Sequence, residues 1–429
     1  MNVEKVYKEG MCTGCGTCAG ICPTNAIEMV IDKKKGIYKP LIDIEKCTKC
    51  GLCYKVCPGH SVDFKELNEF VFGKQPENIL LGNYINCYAG HSTDYGIRYN
   101  SASGGLVTQL LIFAIEEGII DGALVTRMKK DNPLEPEPFI ARTKEEIIEA
   151  TGSKYCPVPA NITLKEILNS KGGEKFAVVG LPCHILGIRN VEQINKKLKS
   201  KIVLHLGIFC STPCNFLGTE FILSKRLGVN IDNVKDIKYR GKGWPGGMSV
   251  RLKNNREKFI SSSEYWDNNF SAFTPSRCRL CTDNTAELAD VSFADYRGKE
   301  ISLNEKIGKT SIISRSIDAE KILHQMVDKQ KIEIWKINSK EATYAQGYVY
   351  LKKNAKASFR LFALLGKKIP SYNQELINPQ MHYYIQEVDR HLRTLLASKR
   401  YLWCLLILYT FISSLPLSLI IYVNQKLKK

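Results

Sequence analysis

The sequence predicts a small α+β module over residues 1 to 60, a mixed α/β domain over 86 to 300, and a helical extension over 301 to 395. Three observations predict this division. The runs CTGCGTCAGICP and CTKCGLCYKVCP repeat one cysteine frame, strand-length apolar runs alternate with helical patterns from Ile85 onward, and a lysine-rich, mostly helical pattern follows residue 300. A polar connector, 61 to 85, with Gly73, Pro76 and Gly82, separates the first two regions.

In the amino-terminal module, Cys12-x2-Cys15-x2-Cys18-x3-Cys22-Pro23 and Cys47-x2-Cys50-x2-Cys53-x3-Cys57-Pro58 have the ligand spacing of bacterial two-cluster ferredoxins. Three close cysteines wrap one face of a [4Fe-4S] cubane, and the fourth of each run reaches the other cluster. The spacing therefore assigns Cys12, Cys15, Cys18 and Cys57 to one cluster, and Cys22, Cys47, Cys50 and Cys53 to the other. Pro23 and Pro58 turn the chain away, while Gly14 and Gly51 let amides approach the sulfides. Zinc knuckles use separated pairs of ligands and have no place for the shared fourth cysteine. Short strands are expected around 27–31 and 37–44.

In the second region, SGGLVTQLLIFAIEEG reads as a helix closed by Gly118, and IIDGALVTRM as a strand. Thr143-x-x-Glu146 is a capping box. FAVVG at 176–180, IVLHLGIF at 202–209 and DVSFADY at 290–296 read as buried strands, the first two delivering Cys183 and Cys210 at their carboxyl ends. With Cys278-x2-Cys281, these cysteines form a possible third metal set. Spacing alone leaves a cubane, a zinc site, a redox dithiol and structural thiols all open. The turns Ser103-Gly104-Gly105, opening a helix, and Gly152-Ser153-Lys154-Tyr155 offer amides, hydroxyls, a cation and a ring to a phosphate or dinucleotide. A plain helix cap explains the first equally well. No GxGxxG follows a strand, so a Rossmann-type NAD site is unsupported.

The formal charge of +18 suits an anionic partner, but the basic residues are scattered and no nucleic-acid motif is present, so nucleic acid is not expected. Sixteen cysteines with no amino-terminal signal peptide point to a reducing, cytoplasmic location without disulfides. Residues 401–423 carry no charge and lie between Lys399-Arg400 and Lys426, Lys428 and Lys429, long enough to span or anchor to the cytoplasmic face of a membrane. A buried carboxy-terminal helix is the competing reading.

The succession YNSASGGLVTQLL, GSKYCPVP, VVGLPCHILGIR, LHLGIFCSTPC, YRGKGWPGGM and CRLCTDNTAELADVSFADY resembles the beta subunit of the coenzyme F420 hydrogenase/dehydrogenase family over residues 85 to 300. The resemblance implies an α+β ferredoxin-like 2[4Fe-4S] domain followed by a mixed α/β flavin-binding domain and a helical C-terminal extension. It implies FAD held by Ser103, Gly104, Gly105, Gly152, Ser153, Lys154 and Tyr155, a third [4Fe-4S] cluster on Cys183, Cys210, Cys278 and Cys281, coenzyme F420 as substrate, and a redox partner protein. FAD would convert hydride exchange with the deazaflavin into single-electron steps, with no catalytic acid or base assigned. Lys154 or Lys242 is expected to hold the anionic tail of the deazaflavin. Departures from the family pattern, Cys156-Pro-Val-Pro and the long extension, leave two other readings open: a reductase of the same fold acting on another substrate, such as one linked to polysaccharide synthesis, and a non-catalytic electron relay.

Overall fold

In the computed structural model, which describes residues 1–414 except 212, 267, 299–304 and 345–347, each cysteine run turns into a one-turn helix. These are Thr17–Gly20 and Leu52–Lys55, entered through Gly16 and Gly51 at φ 84° and 76°. A side chain at such positive φ is disfavoured, so glycine lets the backbone fold tightly round the thiols. The expected short strands are Ile27–Asp32 and Ile37–Ile42, which pair antiparallel. Val3, Val6 and Met11 pack with Cys18 and Cys57 into the module's own apolar centre.

The large domain is built on an eight-stranded mixed sheet. Its order is Ile332–Ile337, Asn86–Ser92, Thr310–Ser314, Val291–Asp295, Ile202–Ile208, Phe176–Gly180, Gly122–Met128 and Pro136–Ala141. The four strands from Val291–Asp295 to Gly122–Met128 run parallel. Their carboxyl ends therefore share one edge, where an α/β sheet places its chemistry. Leu106–Glu116, an apolar helix buried almost all round, covers one face. Pro182–Ile194 covers the other, through Ile185, Leu186, Ile188 and Val191. A separate three-stranded sheet, Val234–Lys238, Gly247–Leu252 and Glu257–Ser261, supports the GKGWPGG loop.

Two stretches differ from expectation. The region after 300, expected to be mostly helical, supplies two strands to the large sheet, Thr310–Ser314 and Ile332–Ile337. The first is entirely buried and the second is an edge strand whose Lys and Glu face outward, so lysine-rich flanks disguised both. Helices Lys356–Leu364 and Met381–Ala397 then follow as anticipated. The connector 61–85 holds the helix Phe64–Phe72, capped by Asp63, and its Ser61–Val62 pairs in parallel with Ser371–Tyr372.

The module and the large domain meet backbone to backbone. A Cβ on Gly20 would come within 2.0 Å of Asn161 O, and one on Gly187 within 2.2 Å of Thr17 Oγ1. The Asn161 amide completes the joint, its Nδ2 donating to Thr17 Oγ1 at 2.8 Å and to His184 O at 2.9 Å.

Candidate redox centre

Cys12, Cys15, Cys18 and Cys57 lie together in the amino-terminal module. Burial raises the Cys18 thiol well above its ordinary value, and Cys15, Cys12 and Cys57 add to the rise. Burial likewise pushes Cys12 up to about 12. Cys12, Cys15, Cys18 and Cys57 line one small pocket together with Val3, Val6 and Met29. Backbone amides point at the sulfurs, Gly14 N to Cys12 Sγ at 3.4 Å and Gly59 N to Cys57 Sγ at 3.4 Å. Neighbouring thiols, of which Cys12, Cys18 and Cys57 are pushed up chiefly by burial, fit a cationic iron cluster, because bound metal deprotonates its thiol ligands. In the second set Cys50 and Cys22 both bear on the half-buried Cys53 thiol. Cys47 lies three residues before Cys50 on the same loop, and Cys50 is exposed. The second set thus reaches the surface at Cys50, while Cys15, Cys18 and Cys57 of the first are buried.

Cys183, Cys210, Cys278 and Cys281 also come together. Burial raises the Cys183 thiol strongly, and the neighbours that add to this are Cys15, Cys210, Cys278 and Cys281. The fold explains the convergence: Phe176–Gly180 and Ile202–Ile208 are parallel neighbours, so the residues that follow them emerge side by side. Asn284 pins Cys210 on both sides, accepting from its N at 2.8 Å through the carbonyl and donating to its O at 2.9 Å through Nδ2. His184 fixes the Cys183 turn. Its Nδ1 accepts from Leu181 N at 3.1 Å and its Nε2 donates to Val158 O at 2.9 Å. Burial depresses its pKa to about 4, so the ring is neutral and serves as a brace. Thr282 Oγ1, next to Cys281, is buried with no partner among the described residues and suits a cluster sulfur. No three of His, Cys, Asp and Glu among the described residues stand close enough to share one ion.

Two buried cations, which the sequence reading missed, sit among these sulfurs. Arg277 Nε donates to Met11 O at 3.0 Å and Gly59 O at 2.9 Å, and its NH2 group to Pro58 O at 3.3 Å. Lys352 Nζ donates to Cys278 O at 2.7 Å. Arg277 thus ties the third set to the ends of the first. Its position immediately before Cys278 is the signal that sequence reading had available.

The two flavin-assigned turns are joined by a further missed residue, Arg240. It donates to Tyr155 Oη at 3.0 Å, to Ala102 O at 2.6 Å and to Asp295 Oδ2 at 3.1 Å. Ser103 Oγ and Thr310 Oγ1 lie 3.0 Å apart, and Gly104 N donates to the same Thr310 oxygen. Gly105, at φ 78°, opens the Leu106–Glu116 helix, and Gly152 stands at φ 86°. Arg240 Nε and Trp244 Nε1 are buried without a partner among the described residues, two donors fit for a polar cofactor. Lys154 turns inward, its Nζ donating to the carbonyls of Ala150, Thr151 and Gly152, and burial lowers its pKa to about 7. Lys242 pairs with Glu257 at 2.7 Å. Both ammonium groups are therefore engaged by the chain itself. Ser153 and Tyr155 are half-buried beside them.

Comparison with known proteins settles the family. Residues 87–165 match the amino-terminal part, and 173–340 the carboxy-terminal part, of the family described as "Coenzyme F420 hydrogenase/dehydrogenase, beta subunit". Over 58% of its length the chain is 30% identical to the beta subunit of coenzyme F420 hydrogenase from Methanothermobacter thermautotrophicus, covering 84% of that protein. The chain belongs to the family of coenzyme F420 hydrogenase/dehydrogenase beta subunits. Its membership extends past residue 300 because the last two sheet strands lie within the matched span. Residues 11–61 match a 4Fe-4S dicluster domain. Among other relatives, a subunit of F420H2 dehydrogenase from Methanosarcina mazei is 24% identical over 77% of this chain and 86% of that protein. Coenzyme F420-dependent sulfite reductase of Methanocaldococcus jannaschii is 26% identical over 78% of this chain and 49% of that enzyme. A chain of the F420-reducing [NiFe] hydrogenase complex from Methanosarcina barkeri shares the fold, with TM-score 0.54, 22% identity, and coverage of 68% of this chain and 98% of that one. The family is F420-linked, and the chain joins that oxidoreductase architecture to an iron–sulfur module.

Proposed function

We propose that the chain exchanges hydride with coenzyme F420 through FAD and relays single electrons through three [4Fe-4S] clusters to or from a partner protein. FAD supplies the exchange between hydride and single electrons, which cubanes cannot perform. The observation that carries the reading is the gathering of Cys183, Cys210, Cys278 and Cys281 at the sheet edge with Cys183 beside Cys15. That contact makes the third set continuous with the first, and the first adjoins the second. The succession ends at exposed Cys50, the side on which a redox partner meets the chain.

The residues at the two turns support a flavin at the other end. The amides of Ser103 and Gly105 stand at the amino end of an eleven-residue helix, the favoured place for a phosphate, while that of Gly104 is held by Thr310. Arg240 locks that turn to the Gly152–Tyr155 turn and keeps one donor in reserve. With Lys154 committed to carbonyls, amides and Arg240 are the anion-binding groups of this site. Anaerobic purification with iron, sulfide and flavin counting tests the reading. It expects about twelve irons and one FAD per chain, with the flavin bleached by reduced F420. Flavin that reduced F420 leaves yellow, or a chain without flavin, overturns it.

A further inference from the structure

The carboxy-terminal helices expose an apolar surface that neither the clusters nor the flavin turns use. Met381–Ala397 and the following helix Trp403–Ser414 meet at a sharp bend of 115°. No described helix is long and apolar enough to cross a membrane by itself, and residues 415–423 of the expected span lie outside the described residues. One side of the pair is fastened to the domain. Glu387 is buried against Arg279, with carboxylate oxygen and guanidinium 2.7 Å apart. Trp403 packs edge-on to Phe221 and Phe273, and its Nε1 donates to Ala397 O at 3.0 Å.

The other side faces outward. Met381, Ile385, Val388, Leu392 and Leu395 recur at alternating steps of four and three, one stripe of a helix, and are 45% to 74% exposed. Leu405, Leu408, Phe411 and Ile412 are 48% to 62% exposed on the second helix. The helices touch through Tyr409 Oη donating to Asp389 at 2.8 Å and Arg393 donating to Ser413 at 3.0 Å. The acidic residues of these helices are withdrawn: Glu387 is buried, and Asp389 is held by Arg393 and Tyr409. Lys399 is exposed at the bend, and the sequence runs on through apolar residues to Lys426, Lys428 and Lys429. Two exposed apolar stripes on neighbouring helices, with the carboxylates of those helices buried or paired and Lys399 exposed at the bend, match the surface of an anionic bilayer.

We propose that the Met381–Ala397 and Trp403–Ser414 pair is a monotopic platform that lies flat on an anionic lipid surface and holds the redox domain beside the membrane. Its occupant is the bilayer interface. The fastened inner side prevents the pair from crossing, so the platform docks without spanning.

The test is co-sedimentation of the full chain, loaded with its clusters, with vesicles of equal parts phosphatidylcholine and phosphatidylglycerol, and with phosphatidylcholine alone. The wild type is expected to pellet with the anionic vesicles and to bind the neutral ones at least tenfold less. Leu392→Glu with Leu408→Glu is expected to lower anionic-vesicle binding at least tenfold while iron content and visible absorbance stay at wild-type values. If that variant misfolds, Ile385→Ser with Leu405→Ser replaces it. The platform is overturned if the wild type stays in the supernatant, or if the folded variants bind as the wild type does. It is also overturned if light scattering shows a wild-type dimer that the variants dissociate without either form binding vesicles.

Discussion

Replacing Asp290 with asparagine removes one charge from a buried quartet that ties two parallel strands to the Pro182–Ile194 helix. Asp290 Oδ2 accepts from the backbone N of His205 at 2.7 Å and from its Nδ1 at 2.9 Å, and Oδ1 accepts from Arg189 at 3.3 Å. Glu192 takes the other partners, His205 Nε2 at 2.8 Å and Arg189 at 2.9 Å. Two cations thus meet two carboxylates, and removing one carboxylate leaves the buried charge unbalanced. Burial raises the Asp290 carboxyl, but Arg189 and His205 outweigh it and bring the pKa from 3.8 down to about 2. A shift of that size corresponds to about 2 kcal/mol of stability, present above pH 3.8 and lost as the pH falls through the folded value. His205 behaves oppositely. Burial and Arg189 lower its pKa, but Glu192 and Asp290 raise it above 6.5 on balance. Its contribution is complete below pH 6.5 and disappears as the pH climbs through the raised folded value. Asp290→Asn should therefore lower the free energy of urea unfolding at pH 6 by about 2 kcal/mol. It should also move the alkaline loss of stability to lower pH, because His205 keeps only Glu192. The assay is anaerobic urea denaturation followed by far-ultraviolet circular dichroism between pH 6 and 9. A variant within about 0.5 kcal/mol of the wild type, the size of an inconsequential surface change, would refute the reasoning, as would an unchanged pH profile.

Two further predictions concern the clusters. Cys183→Ser should lower iron by about a third, four of twelve atoms, while the amino-terminal pair keeps its spectroscopic signal; unchanged iron content would remove Cys183 from the ligand set. Arg277→Gln should displace the midpoint potentials of both the third cluster and its Cys12–Cys57 neighbour downward, because a buried cation favours the more negative reduced state. Lys352→Met, which touches only the third set, should displace one wave; redox titration followed by electron paramagnetic resonance distinguishes the two patterns, and no displacement in either variant rejects the role of these cations.

Much of the ligand assignment was legible in the chain because local spacing carries it. Cys12, Cys15 and Cys18 fall within one short run, so their pattern is readable without knowledge of the fold. The family motifs extended that reading to Cys183, Cys210, Cys278 and Cys281, which no spacing rule alone could unite. Tertiary structure decided the rest, since parallel strand pairing brings Cys183 and Cys210 to one sheet edge and the fold carries the distant Cys278 and Cys281 to the same place. Arg277, Lys352 and Arg240 escaped notice for the same reason: a lone basic residue has no local signature, and only its burial among distant thiols and carbonyls reveals its work. The inward turn of Lys154 and the strands past residue 300 were likewise set by packing. A charge's direction and a strand's neighbours are properties of the assembled core, whereas a ligand spacing belongs to the backbone itself.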